Sequence, residues 1–578
     1  MRRTALTTGI ILPALLAALP GCAKDKKHFC SSAQLACGAT CVDPMSDPAN
    51  CGECGTVCGG DQSCVTGTCT ADCDAPAVLC GSECADTMTS AAHCGSCDVA
   101  CGPGVACITG QCAAPLALLQ TSYLDGEIDR DLYVLQDVTY QLTQLNPTMF
   151  TDHRVRDHAI LPDGRLVVVA AATEGVTELW LATPATGTLT RLNAPLPAGV
   201  SVEPGIVVSR DGRRVLYRAD TNEDGARELF AVAIASPGAA VGLNQPTSLA
   251  EASRVFALSA DGSRAAYVLV TESGDDEAFV VDLSVASPTP RQLDAVDEDV
   301  YDLRLTAAGD RVVYRAYDQQ NGRIALHVAS TTVAGPATEV GYADGAEGQV
   351  EGYALTADGS AVVFTGGNRF LQTSLWRAPL ATPEDATQLV DGTQGDPVRA
   401  DLAIAADGSK VFFRQTDLGY DRLYQVAVGS PLVRTPLSPE TKDPTGEATD
   451  FVVSADGSAL VYRAGADGAE GGIANPETDP PQFVRDFAPT LQYVDLTATP
   501  VPAPVQLSAE VVGKAEGIRT GYRVTADGRR VIYRADHDTV GSSDAYLVDV
   551  ATAGTVRKVS PPLDDTTDAT DVARITLF

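Results

Sequence analysis

The sequence predicts an all-β chain: a large β-propeller of four-stranded blades behind a small disulfide-rich tandem module. Three observations carry this. Every one of the 17 cysteines lies at or before Cys112, and all but the first fall into two sets with the same internal spacing. Beyond residue 115 an Asp-Gly-type turn recurs with its glycine at 164, 212, 262, 309, 359, 408, 457 and 528. Each turn is flanked by apolar stretches of strand length, such as "GIVV" before Gly212 and "RRVLYRA" around and after it.

Arg2 and Arg3 precede an uncharged, apolar run over residues 4–20. A positive start and a short apolar stretch are the two parts of an export signal. The run is shorter than the roughly 20 apolar residues of a membrane-spanning helix. It ends in "LPGC", residues 19–22. This stretch resembles the bacterial lipobox, with Leu19 three positions before Cys22 and Gly21 directly before it. The resemblance implies a lipoprotein signal peptide over 1–21 and a lipidated tether over 22–29. It also implies a diacylglycerol thioether on Cys22, through which the membrane becomes a partner. An odd cysteine count in an exported chain asks for such an explanation. Ala23, rather than Asp, after the cysteine implies the outer membrane. The periplasmic side and the cell surface are both open. The formal net charge of −34 repels nucleic acid.

Cys30, Cys37, Cys41, Cys51, Cys54, Cys58, Cys64 and Cys69 recur, offset by 43 residues, as Cys73, Cys80, Cys84, Cys94, Cys97, Cys101, Cys107 and Cys112. The two repeats span 30–69 and 73–112. Each holds few large apolar side chains, too few to offset chain entropy by burial alone. In an oxidising compartment, four disulfides per repeat supply what the core lacks. Connectivity stays open, since eight cysteines allow 105 pairings. "CGECGTVC" and "CGSCDVAC" also hold a Cys-x2-Cys spacing that zinc could use. Export before folding favours disulfides. The frame of Cys, Val or Ala, Asp, a short spacer and then Cys-Gly-x-Cys resembles the stigma-specific cysteine-rich family. That resemblance implies an extracellular module with no assigned chemistry: a stiff stalk or a contact surface.

From 115 to 578 the period is about 49 residues, with one longer interval caused by an insertion around 465–487. Each period reads as a short apolar strand, an Asp-Gly turn, a stronger strand, a polar loop, a third strand and a weaker fourth. A two-residue hairpin turn needs positive φ at its centre, which Asp tolerates and Gly prefers. Four antiparallel strands per period make one propeller blade. "LALLQTS", "DLYVLQ" and "YQLTQLN" before the first turn align with strands two to four. "VARITLF" (572–578) aligns with strand one. Pairing these segments closes a ring of nine blades, with eight as the alternative, and leaves no open sheet edge. The repeated turn resembles the TolB-like, WD-repeat-like propeller family. Its Pro is kept only at Pro162, and Ala308 replaces Asp before Gly309.

Motifs for catalysis are missing from the sequence. There is no Gly-x-Ser-x-Gly elbow, no His-Glu-x-x-His and no phosphate-binding loop. The patterned feature is acidic. Loops between strands two and three carry Asp125, Glu127 and Asp129, then Asp275 and Asp276, Asp417 and Asp421, and Asp536 and Asp538. "DTNEDG" places Asp220, Asn222 and Asp224 like the start of a calcium loop, though the twelfth position is Ala231 rather than Glu. Blade geometry gathers these loops on one rim, opposite the Asp-Gly turns. The expectation is a non-enzymatic scaffold that binds a protein, peptide or glycan through this rim, with no cofactor unless calcium is one. The alternative is a carboxylate-dependent hydrolase or lyase with its site in the propeller mouth.

Overall fold

The structure is a computed structural model. It describes residues 30–577 except 102–105, 124–130, 146–154, 245–250, 272–275, 295–297, 342–348, 368–372, 393–395, 441–446, 466–472, 475–482, 485–488, 509–517, 536–543, 561–569 and scattered shorter positions. Cys22 and its lipobox lie outside the described residues. Among the described residues no helix is long and apolar enough to cross a membrane. The chain divides into two compact units, Met1–Cys101 with Thr109–Gln111, and Gly102–Ile108 with Cys112–Phe578.

The cysteine-rich region is built from two-residue-turn ribbons such as Leu35–Cys37 with Thr40–Val42 and Gln62–Val65 with Thr68–Ala71. Its first repeat is crosslinked Cys30–Cys41, Cys37–Cys54, Cys51–Cys64 and Cys58–Cys69. The second begins identically, with Cys73–Cys84 and Cys80–Cys97. Cys94, Cys101 and Cys107 are disulfide-bonded too. The Sγ atoms of Cys51, Cys58 and Cys69 lie close enough to hold a metal. Each is committed to a disulfide, which removes the thiolate a zinc ion needs. Among the described residues, the buried apolar residues of these repeats are Cys51, Cys64, Cys80, Cys94, Cys107 and one alanine, Ala85, so the crosslinks form the core. The glycine of Cys-Gly-x-Cys has a definite task. Gly52 and Gly95 adopt φ of +78° and +74°, and a Cβ there would meet the carbonyl oxygen of Gly67 or Gly110 at 2.6 or 2.4 Å.

The propeller has nine four-stranded antiparallel sheets. In eight of them the strands neighbour one another in chain order. The ninth is the closing blade, ordered Leu142–Gln144, Leu132–Gln136, Pro115–Tyr123 and Thr570–Leu577. Leu119 stands opposite Ile575 across this seam. The nine-blade reading holds, and Thr570–Leu577 completes the blade begun by Pro115–Tyr123.

Strand two is almost wholly buried in most blades, and strand three partly so, because neighbouring blades cover their faces. Val167, Val169 and Leu179 of one blade pack with Val215, Tyr217 and Val232 of the next. Across the seam, Leu119 and Ile575 pack with Ile532 and Leu547. The tyrosine of "VLYRA" stacks on the third strand, with Tyr217–Phe230 centroids 5.3 Å apart and Tyr533–Tyr546 5.7 Å. The arginine that follows joins blades. Arg218 Nη1 donates to Ala252 O (2.8 Å), Arg414 Nη1 to Ala448 O (3.0 Å), Arg463 Nη1 to Ile518 O (3.3 Å) and Arg534 Nη1 to Val572 O (3.0 Å). Each acceptor sits at the inner edge of the following blade. Arg315 reaches Glu351 O in the same way and pairs with Asp302.

Candidate binding face

Antiparallel order places the turns after strands one and three at one end of every blade, and the loops after strand two at the other. The Asp-Gly turns are longer than the two-residue hairpin expected from sequence. Ser209 N donates to Arg214 O (2.9 Å), so four residues lie between the last paired positions. Gly212 takes φ +70°, while Asp211 keeps an ordinary negative φ. Asp serves through its side chain instead. Asp211 Oδ1 accepts from Arg213 N (3.0 Å) and Ser209 Oγ (2.7 Å). Asp261, Asp456 and Asp527 accept from Ser263 N, Ser458 N and Arg529 N, and from the hydroxyls of Ser259, Ser454 and Thr525. A short side-chain acceptor closing its own turn is the physical reason Asp is favoured there. The Ser259 hydroxyl and the Ser263 amide draw the Asp261 carboxyl down to about 2. The Thr356 hydroxyl, with the Ser360 amide, does the same for Asp358, also to about 2.

Neighbouring turns also bond to one another. Asp211 N donates to Ala260 O (2.9 Å), Ala260 N to Ala307 O (3.2 Å) and Asp456 N to Ala526 O (3.1 Å). A Cβ on Gly309 would lie 2.6 Å from that of Ser259. These turns thus share one glycine closure, and several are tied to their neighbours.

The opposite face is not uniform. Its loops run from Thr173 to Val176 in one blade, Asp417 to Tyr420 in another, Ala219 to Glu228 in a third and Ala464 to Thr490 in the seventh, where Ile473–Ala474 and Phe483–Val484 form a separate ribbon. Of the acidic rim residues read from sequence, Asp125, Glu127, Asp129, Asp275, Asp536 and Asp538 lie outside the described residues. Asp276 opens the third strand of its blade and is half-buried. Asp417 accepts from Tyr424 Oη (2.7 Å) and Arg422 Nη1 (3.3 Å), and the Tyr424 hydroxyl holds its carboxyl below the ordinary value. Asp421 is only 5% exposed. Arg399 Nε reaches both its oxygens at 2.8 Å, and Arg414 and Thr416 complete its shell. It ties strands one, two and three of its own blade together, and strand pairing with Thr416 turns its side chain inward.

The "DTNEDG" loop does gather carboxylates, but with a different third member. Asp220, Asp224 and Glu228 each bring an oxygen within 4.8 Å of the others. Asn222 is spent inside the loop: its Nδ2 donates to Asp224 Oδ2 (2.9 Å) and its Oδ1 accepts from Asp224 N (3.2 Å). Glu228 opens strand three, opposite Ala219. Its position nine residues into the loop, counting Asp220 as one, was the available signal in the sequence, and the missing twelfth-position Glu obscured it.

Residues 20–72 match the model of the Stigma-specific STIG1-like protein family. A comparison with curated proteins finds no match. Among solved structures, one from a structural and mechanistic study of two prolyl endopeptidases is 14% identical, with 65% of this chain and 50% of that chain covered and a TM-score of 0.39. A puromycin-hydrolyzing peptidase of Mycobacterium tuberculosis is 17% identical, with 65% and 57% covered and a TM-score of 0.37. The chain therefore spans about half the length of the solved structures it matches. Sequence similarity and fold together describe a chain with a Stig1-like cysteine-rich domain at residues 20–72 and a nine-bladed β-propeller after it.

Proposed function

We propose that this chain is a lipid-anchored outer-membrane protein whose propeller, of the TolB-like class, is a non-enzymatic scaffold that binds a protein, peptide or glycan. One observation carries the reading: the contrast between the two faces. On one face each of the eight Asp-Gly-type turns closes with the same bond, from its glycine N–H to the carbonyl three residues earlier, and several neighbouring turns are tied together. On the other, loop length and charge differ from blade to blade on an invariant frame. Rigid strands presenting variable loops is the arrangement by which scaffolds carry binding surfaces. Acidic groups among those loops favour a basic or cationic partner.

The test uses the full-length membrane protein carrying a photo-crosslinking residue. It is placed either at Gln320, exposed in a strand-two-to-three loop, or at Ala406, exposed in an Asp-Gly turn. Crosslinked species are expected from Gln320 and not from Ala406. Equal yields, or none from either, reject the assignment of the face. The anchor is tested separately: Cys22→Ser should abolish labelling by a palmitate analogue, and continued labelling refutes the lipobox reading.

A further inference from the structure

We propose that the strand-two-to-three loop of the second repeat blade is a binding site for one hard divalent cation, of the calcium class, held by Asp220, Asp224 and Glu228. The inference does not depend on the scaffold reading, since a cation can bind whether or not a partner does.

Glu228 supplies the decisive observation. It is 5% exposed, and Oε2 is occupied by the Thr221 amide (2.7 Å) and hydroxyl (3.0 Å). Its other oxygen, Oε1, is buried with no hydrogen-bond partner. The same holds for Asp220, whose Oδ2 accepts from Gly225 N (3.0 Å) while Oδ1 is buried and unpartnered. Two carboxylates a few ångströms apart, each with one saturated and one bare oxygen, lack positive charge. A buried carboxylate oxygen without a donor or cation is strongly disfavoured. The neighbouring arginine does not provide one. Arg227 pairs with Glu203 (3.8 Å) and Glu251 (3.5 Å), and donates to Gly225 O.

The spacing suits an ion. Calcium takes oxygen ligands at about 2.3–2.6 Å, so two ligands of one ion lie at most about 5 Å apart. One carboxylate oxygen from each of Asp220, Asp224 and Glu228 falls within 4.8 Å of the other two. The loop is also preshaped. Glu223 and Gly225 adopt φ of +60° and +91°, and the Ala226 amide fixes Asp224 Oδ1 at 2.9 Å. Asp224 is exposed, which leaves room for water to complete the shell.

The experiment is calorimetric titration of the detergent-solubilised full-length chain with calcium chloride after chelation. It compares the unaltered protein with Glu228→Gln, Asp220→Asn, Asp224→Asn and the turn variant Asp407→Asn. Terbium luminescence serves as a second readout. The expected result is a saturable site lost or weakened at least tenfold in each of the three loop variants and unchanged in Asp407→Asn. Asp224 is on the surface, so its variant keeps the test valid if a change at Glu228 impairs folding. No saturable binding to the unaltered chain, or binding by Glu228→Gln and Asp224→Asn as tight as that of the unaltered chain, overturns the proposal.

Discussion

Asp294 offers a sharp test of how these blades are finished. After strand four, a polar side chain turns back to accept from an amide within strand three. In the first two repeat blades Asn193 accepts from Leu179 N (2.8 Å) and Asn244 from Leu229 N (2.7 Å). In the third the residue is Asp294, accepting from Ala278 N at 2.8 Å. An amide does this task without charge, whereas a carboxylate must be desolvated. Desolvation, with Glu277 adding repulsion, pushes the Asp294 carboxyl up to about 6, against the hydrogen bonds from Ala278 and Gln292. The folded pKa exceeds the unfolded value of 3.8, so the native state binds the extra proton. Ionised Asp294 therefore destabilises the fold above pH 6, and the penalty fades as pH falls toward 4. At about 1.36 kcal/mol per pKa unit the full penalty approaches 3 kcal/mol, and partial solvent access reduces it to about 1–2 kcal/mol. Asp294→Asn should recover that amount at pH 7.5. For a chain of this size it corresponds to a rise in Tm on the order of 1–3 °C. Thermal unfolding of both proteins at pH 7.5 and pH 4.5 measures it. A destabilised Asn variant at pH 7.5, or a difference that does not shrink at pH 4.5, refutes the argument.

Three further outcomes follow from the same contacts. Arg463 is 3% exposed and bridges Asp450 (3.0 Å) and the next blade's Ile518 O, so Arg463→Met should cost about 3 kcal/mol by stranding a charge; Arg463→Met with Asp450→Leu should cost less, and equal losses in urea melts would contradict the staple. The turn carboxyls Asp261 and Asp358, drawn down to about 2, give stability that is complete above their unfolded value of 3.8 and is lost as pH falls through about 2; Asp261→Asn should flatten that acid limb in circular-dichroism titrations. Gly52→Ala and Gly95→Ala put a methyl against a carbonyl oxygen at 2.6 and 2.4 Å, and non-reducing peptide mapping should show scrambled or open disulfides confined to the altered repeat.

Much of this protein is legible one residue at a time. The cysteine sets at a fixed offset specify a duplicated crosslinked unit, because so short a chain can be held in no other way that its composition permits. The Asp-Gly period specifies the blades, because a glycine in the left-handed region and alternating apolar strands are local demands. The ring closure was readable too, since the leftover strands at 115–146 and 570–577 complete one blade between them. Three things required the assembled ring. Disulfide partners depend on which cysteines the ribbons bring together. The arginine of "YRA" recurs visibly, yet its partner is a carbonyl some 34 residues later in the next blade, a distance set by blade packing. The acidic loops look alike in sequence, but Asp421 is turned inward by its strand pairing, while Glu228, the first residue of a strand, is carried to Asp220 and Asp224. Sequence lists the charges. Strand register decides which of them are buried, paired or left with a bare oxygen, because desolvation depends on what lies across the ladder and not on what lies along the chain.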